Sequence, residues 1–123
     1  MDAFNTVAMA NKGRKLPLLL PDGSPSEHWL SVGHIYADAF RRESEKVQRE
    51  FADSDFKDDA VAAEKFVQDN RPRVLATLVY GWSFEQECTP ENVEAFLRSA
   101  PQIADKVNEY CGSNAYFFPD ANG

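Results

Sequence analysis

A run of acidic residues in the middle of the chain has the spacing of a calcium-binding loop. Asp53, Asp55 and Glu64 stand at the first, third and twelfth positions of the loop template, where carboxylates ligate Ca²⁺. The fifth position is Lys57, whose ammonium would oppose the ion, and the sixth is Asp58, where the sharp turn demands glycine. We therefore predict no metal site here and interpret the run as a solvated, acidic helix start.

Two histidines and two cysteines are the other residues that could carry chemistry. His28 and His34 stand six residues apart with no cysteine beside them, which is not a zinc spacing. No nucleophile motif accompanies them, and no glycine-rich phosphate loop occurs. Cys88 and Cys111 are too far apart for a metal knuckle or a redox pair, so we predict two free thiols. The sequence predicts no catalytic residue, no cofactor and no enzyme activity.

The charge of the chain is uneven. The 123 residues fit one domain and carry a net charge of −7. Residues 1–50 hold seven basic and seven acidic side chains, whereas residues 51–123 hold six basic and thirteen acidic ones. An acidic surface repels phosphate backbones, which predicts no nucleic-acid partner; it serves either solubility alone or binding to basic protein segments. No apolar run could cross a bilayer and no secretion signal opens the chain, so we expect no membrane partner and a cytoplasmic location.

Two short apolar runs predict a β-hairpin over residues 15–33, after a loose N-terminus of residues 1–14. The runs flank a Pro-Asp-Gly-Ser-Pro-Ser-Glu turn, which is the composition of a longer hairpin loop. Pro17 cannot donate to a strand ladder and places the first run at the edge of the sheet. An isolated hairpin is marginal in water, so its apolar side must lie on another surface.

Apolar spacing predicts a helical core over residues 36–112, which begins with two amphipathic helices. The first covers residues 36–51. The second follows the aspartate-rich breaker and turns Val61, Phe66 and Val67 inward.

Pro72 predicts a break in the helical core, because proline removes a helical hydrogen bond and clashes with the preceding turn. We place the break at residues 69–71 and Pro72 at the start of a third helix that continues to Tyr80. This helix is apolar on nearly every side, which predicts a central position in the core. Residues 113–123 are predicted to form a flexible aromatic tail.

Residues 80–111 predict a helix stop followed by two capped helices. Gly81 follows an apolar run at the point where a left-handed residue ends a helix, and Trp82 is expected to pack against the last turn. Thr89 is the predicted N-cap of the next helix and Pro90 its first residue. Residues 99–102, Ser-Ala-Pro-Gln, fit the capping box of the last helix.

Aromatic and aliphatic side chains of these helices are predicted to face the core. Phe84 is expected between the helices with Trp82, while Phe96 and Leu97 belong to the inward face of the first capped helix. The predicted fold class is α+β, mainly α: an N-terminal hairpin followed by about five helices packed as one small domain.

One set of segments resembles the tail assembly chaperones of long-tailed (siphovirus-type) bacteriophages. It comprises Gly-Trp-Ser-Phe, a short acidic spacer, Thr-Pro-Glu-Asn, then Phe-Leu and Ile-Ala-Asp-Lys-Val. Upstream, residues 20–32 are similar to the family's N-terminal hairpin and residues 38–41, Asp-Ala-Phe-Arg, to its first helix. Where relatives carry a short polar cap before that helix, this chain has His-Ile-Tyr-Ala at residues 34–37.

The resemblance implies binding and no chemistry. Such proteins keep the long, helical tape measure protein soluble and help recruit subunits of the major tail (tube) protein to it, in the cytoplasm of the host cell. A longer form made by ribosomal frameshifting often shares this task, so a frameshifted form of this chain is a candidate partner. The codons of residues 116–118, Tyr-Phe-Phe, can contain a run of uridines on which ribosomes slip.

Apolar residues of the hairpin and of the tail are the candidate partner-binding residues. In the tail these are Tyr116, Phe117 and Phe118, which cannot all face one small core. The hairpin residues also predict a homo-oligomer, because a neighbouring copy could cover them. They are Leu18, Leu20, Trp29 and Leu30. Two alternatives stay open, namely a structural virion component (a minor tail or head–tail connector protein) and a small enzyme.

Overall fold

The computed structural model describes residues 5–55 and 58–113. Within these ranges five helices and three strands follow one another. They are α1 (Thr6–Lys12), β1 (Arg14–Leu19), β2 (Pro25–Val32), α2 (Asp38–Ala52), α3 (Ala60–Ala76), β3 (Val79–Trp82), α4 (Pro90–Ser99) and α5 (Pro101–Cys111). The strands form an antiparallel sheet in the order β1-β2-β3. The fold is therefore a mixed one of helices and an antiparallel sheet.

The predicted N-terminal hairpin and the edge position of β1 are confirmed. β1 pairs with β2 alone, from Arg14 opposite Val32 to Leu19 opposite Pro25, with an irregularity between Pro17 and Leu19. The turn is held by Asp22, whose carboxylate accepts from the backbone N–H of Ser24 at 2.9 Å. Alternate side chains of the hairpin face the helices, so its apolar side is covered as expected.

The third strand corrects the predicted helix stop at Gly81 and Trp82. α3 ends at Ala76, and Gly81 lies in β3 opposite Ser31 of β2, with an ordinary backbone conformation rather than a left-handed one. Trp82 is opposite Leu30 and so does not close a helix. Apolar and aromatic residues suit a strand as well as a helix. Here the strand forms because it pairs with a hairpin 50 residues away in sequence, and a local pattern does not contain that contact.

The predicted helix break at residues 69–71 is also wrong, because α3 continues through Pro72. Pro72 is buried, and the residues around it include Leu97 of α4 and Ala104 of α5. Burial of the ring against these helices compensates for the hydrogen bond that proline removes. The predicted second and third helices are therefore one.

Two details of the first predicted helices change as well. α2 begins at Asp38, so Tyr36 lies in the turn before it. On α3, Val61 is 81% and Val67 57% exposed, which contradicts their predicted inward orientation.

The N-terminus contains a helix where a loose segment is predicted. The side chain of Asn5 caps α1 by accepting from the backbone N–H of Ala8 at 3.2 Å. Ala10 is fully buried, and its carbonyl accepts a hydrogen bond from the hydroxyl of Tyr80 at 3.2 Å. A seven-residue helix is marginal by itself, so this contact with β3 stabilises it, and a local pattern does not contain that contact.

The hydrophobic core lies between the sheet and the last helices. Its buried members are Leu16, Leu18, Leu30, Val32, Leu75, Ala76, Leu78, Val79, Val93, Leu97, Ile103, Ala104, Val107 and Cys111. Phe96 is partly buried against it, as its predicted place on the inward face of α4 requires, and Tyr110 of α5 is also partly buried there. No side chain of α2 is fully buried, and its Phe40 packs against the edge of the core.

The predicted cap of α4 is confirmed, and that of α5 is wrong. Thr89 accepts through its hydroxyl from the backbone N–H of Asn92 at 3.2 Å, and Pro90 begins α4. α5 starts after Ala100, which has no capping side chain. The hydroxyl of Ser99 instead donates to the carbonyl of Phe96 at 2.9 Å, because Ser99 still belongs to α4.

We expect Thr89→Ala to lower the free energy of unfolding by about 1 kcal/mol, because one backbone N–H of α4 loses its acceptor. Ser99→Ala is the matched control, since its hydroxyl caps no helix, and it should change stability by less than about 0.5 kcal/mol. Urea denaturation of both variants measures the difference. Equal losses would show that the Thr89 hydroxyl does not stabilise α4.

Candidate binding surfaces

Three aromatic side chains predicted to pack between helices come together at the end of the sheet. Trp82 ends β3, Phe84 follows in the loop and Phe96 lies on α4. The ring centroids are 5.3 Å apart for Trp82 and Phe84, 5.9 Å for Trp82 and Phe96, and 5.0 Å for Phe84 and Phe96. The interplanar angles are 81°, 73° and 77°, so the three rings stand nearly perpendicular to one another, as the electrostatics of aromatic edges and faces favour.

These rings line a surface pocket of about 300 Å³, which we call the aromatic pocket. Gln86 and Asn92 complete its wall. The indole N–H of Trp82 donates to the carbonyl of Gln86 at 2.7 Å, and the Asn92 side chain donates to the carbonyl of Glu87 at 2.8 Å. The loop between β3 and α4 is therefore tied to both elements that carry the rings.

His28 supports the aromatic pocket from the hairpin. Its ring stacks on Phe84 with centroids 4.5 Å apart, and its Nδ1 lies 3.0 Å from the hydroxyl of Ser83. The same hydroxyl accepts from the backbone N–H of Trp29 at 2.9 Å. In the described ranges no group of three His, Cys, Asp or Glu side chains is placed to hold a metal ion.

The candidate partner residues of the hairpin lie in different environments. Leu18 and Leu30 are buried in the core, which leaves no side-chain surface for a partner. Leu20 is 49% exposed, and Trp29 is half-buried with the ammonium of Lys15 at 4.5 Å from its ring centroid. Alternation along β2 explains why Leu30 is buried and its neighbour Trp29 is not, whereas Leu20 is exposed because it lies in the turn beyond the end of β1. Tyr116, Phe117 and Phe118 lie outside the described residues.

A second surface, not expected from the sequence, is a groove between α2 and α3 with a volume of about 250 Å³. Its lining is mostly apolar, with amide and cationic groups among the residues. They are Phe40, Ser44, Val47, Gln48, Val67, Asn70, Arg71, Val74, Leu75 and Asn108. Phe40 and Val47 belong to the apolar stripe of α2, which the sequence does show. The stripe alone does not indicate that solvent reaches these side chains, so it does not predict a groove.

Arg73 fixes the two walls of the groove. Its guanidinium, on α3, lies 2.6 Å from a carboxylate oxygen of Glu43 and 2.8 Å from one of Glu50, both on α2. The hydrogen bond from Arg73 holds the pKa of Glu50 below its usual value. Charge-assisted contacts of this kind set geometry as well as energy, so α2 keeps a defined distance from α3.

The free cysteines are confirmed as thiols. Burial raises the pKa of Cys111 to about 12 and also raises the pKa of the partly buried Cys88. The folded state holds the Cys111 proton more tightly than the unfolded state does. The contribution of the protonated thiol to the free energy of unfolding is therefore complete below the unfolded pKa and is lost as pH rises through the folded pKa.

We therefore expect the free energy of unfolding to fall between about pH 9 and pH 12. Cys111→Ala removes this titration, so its stability should decrease less steeply over the same range, although the variant starts from a lower value because it leaves a cavity. Urea denaturation at several alkaline pH values measures both slopes. Parallel slopes would contradict the assignment of this dependence to Cys111.

Comparison with known proteins adds no relative to this description, since no protein-family model, curated protein or solved structure matches the chain. Among the helices of the described ranges, none combines the length and the apolar composition that a bilayer crossing needs.

Proposed function

We propose that this chain is a phage tail assembly chaperone that binds the tape measure protein and helps recruit tail tube subunits, without catalysis. The residue pattern of the segment from Gly81 to Cys111, together with that of the hairpin, supports the family. The groove between α2 and α3 is the observation that carries the proposal, because it supplies a surface for a helical partner.

The groove has the character of a helix-binding site. Apolar side chains from both helices line it, and polar ones stand among them, namely Gln48, Asn70 and Arg71. An amphipathic helix that lays its apolar stripe into such a groove covers side chains that water otherwise contacts. The tape measure protein of this family is long and helical, so its stripes are partners of the required chemistry.

A long partner also favours more than one copy of the chaperone. Several copies bound along one extended protein gain from multivalent contact. The exposed Leu20 and the half-buried Trp29 of the hairpin are where we expect one copy to meet the next. Light scattering from micromolar to millimolar concentration should detect oligomers, and a monomer throughout would contradict this part of the proposal.

The test of the groove is co-expression with the long, helical tape measure protein that the proposal expects a neighbouring gene to encode, with two matched variants. Val67→Glu places a charge in the groove, whereas Val61→Glu places the same charge on the same helix outside the groove lining. Both valines are exposed, so both variants should fold. We expect Val67→Glu to lose most of the soluble tape measure protein and Val61→Glu to retain it.

Two outcomes would overturn the proposal. Full solubilisation by both variants would exclude the groove, and an equally insoluble tape measure protein with and without the unsubstituted chain would exclude the chaperone function. Detection of the chain in purified mature particles would favour a structural virion component instead, because chaperones leave before the tail is complete.

A further inference from the structure

The aromatic pocket lies in a long part of the chain that has acidic residues and no basic one. Residues 74–97 contain four glutamates and no lysine, arginine or aspartate. Glu85 and Glu87 flank the pocket residue Gln86, and Glu91 precedes the pocket residue Asn92. All three of these carboxylates are on exposed residues. The pocket thus combines aromatic walls with a negative surrounding.

A pocket with aromatic walls and carboxylates nearby should bind a cationic side chain more tightly than an uncharged apolar one. The face of an aromatic ring carries negative electrostatic potential, and a cation placed over it is attracted. All three aromatic residues line the pocket, so a single occupant can contact more than one ring. Carboxylates nearby add a long-range attraction for positive charge, whereas they contribute nothing to an uncharged side chain.

The polar part of the wall favours arginine over lysine. Gln86 and Asn92 line the pocket, and an amide side chain has an oxygen that can accept from one of the five N–H donors of a guanidinium. A guanidinium is also planar and weakly hydrated, so it stacks on an aromatic face more readily than an ammonium does.

We propose that the aromatic pocket formed by Trp82, Phe84 and Phe96 binds an arginine side chain of a partner protein. The hairpin already shows a cation over an aromatic ring within the chain, where the Lys15 ammonium covers the ring of Trp29. The pocket is separate from the groove between α2 and α3, so the inference holds whether or not the chain is a tail assembly chaperone.

The experiment uses two peptides of nearly the same shape, of which one is charged and the other is neutral with a carbonyl in place of one NH₂ group. Acetyl-Gly-Arg-Gly-amide carries the guanidinium, and acetyl-Gly-citrulline-Gly-amide replaces it with the neutral group. Each is titrated into the full chain at low ionic strength while proton–nitrogen NMR follows the indole N–H of Trp82. Trp29→Phe assigns the two indole signals. We expect a saturable shift at Trp82 that is about 2- to 30-fold tighter for the arginine peptide.

Variants separate the carboxylates from the rings. The exposed pair Glu87→Gln and Glu91→Gln should weaken the arginine peptide by about 1.5- to 5-fold and leave the citrulline peptide unchanged. Phe96→Leu should weaken the arginine peptide while signals far from the pocket keep their positions. Equal binding of the two peptides would identify an apolar site instead, and the lack of a saturable shift would show that the pocket binds neither; each result overturns the proposal.

Discussion

We expect Leu30→Ala to lower the free energy of unfolding by about 2–5 kcal/mol. Leu30 is 1% exposed on β2, the central strand, and lies between the pairing partners Leu16 of β1 and Trp82 of β3. Removing its branched end leaves a cavity that hydrogen-bonded strands on both sides prevent from collapsing. Urea denaturation with circular dichroism measures the loss.

Leu20→Ala is the control, since it makes the same chemical change at a side chain that is 49% exposed. It should change stability by less than about 1 kcal/mol, because most of the removed surface already contacts water. In a self-association assay we expect the opposite ranking: Leu20→Ala should weaken association more than Leu30→Ala, because of these two side chains only Leu20 offers surface to another copy. A loss for Leu30→Ala as small as that for Leu20→Ala would refute the buried position of β2.

Gly33→Ala should destabilise the protein by about 3 kcal/mol, at the upper end of overpacking costs. A methyl group on Gly33 would overlap the Tyr80 hydroxyl and stand 2.5 Å from the Tyr80 ring carbon that carries it and 2.8 Å from the Ala10 carbonyl oxygen. The end of the Tyr80 side chain could turn aside only by losing its hydrogen bond to Ala10, and the Ala10 carbonyl is backbone, so relief also requires moving α1 away from the sheet.

A second substitution identifies the source of that loss. In a Tyr80→Ala background the Gly33→Ala change should cost less, because the largest obstacle is gone, and a double-mutant cycle measures the difference. Gly81→Ala is the control without steric conflict, since the nearest atom to an added methyl is the Ser31 Cβ at 3.9 Å. A large loss for Gly81→Ala would indicate a left-handed Gly81 and restore the predicted helix stop.

The elements that local chemistry specifies could be predicted from the sequence. Thr89 and Pro90 begin α4 where their types indicate, and the turn at Asp22 joins the two strands of the hairpin. In each case the stabilising contact joins residues only a few positions apart.

The elements that distant contacts specify could not be predicted. β3 exists because it pairs with β2, and α1 because Tyr80 binds it from 70 residues away. Pro72 is a second case in which a distant contact overrides a local preference. Proline favours a helix break, but α3 continues through Pro72 because the residue is buried against other helices. Among the site residues, the aromatic ones can be predicted to pack together from their residue types. The groove cannot be predicted in this way, because it depends on which side of α2 remains open to solvent.

The uneven burial of the helical pair α2 and α3 has a kinetic consequence. α2 has no buried side chain, and the buried residues of α3 are Pro72, Leu75 and Ala76, all in its last two turns. The amide hydrogens of residues 38–55 and 58–71 should therefore exchange with deuterated solvent through a partial opening that leaves the sheet, α4 and α5 closed. A helix bound between α2 and α3 would suppress that opening. Binding in the groove should therefore slow the amide hydrogen exchange of these residues and leave the exchange rates elsewhere unchanged.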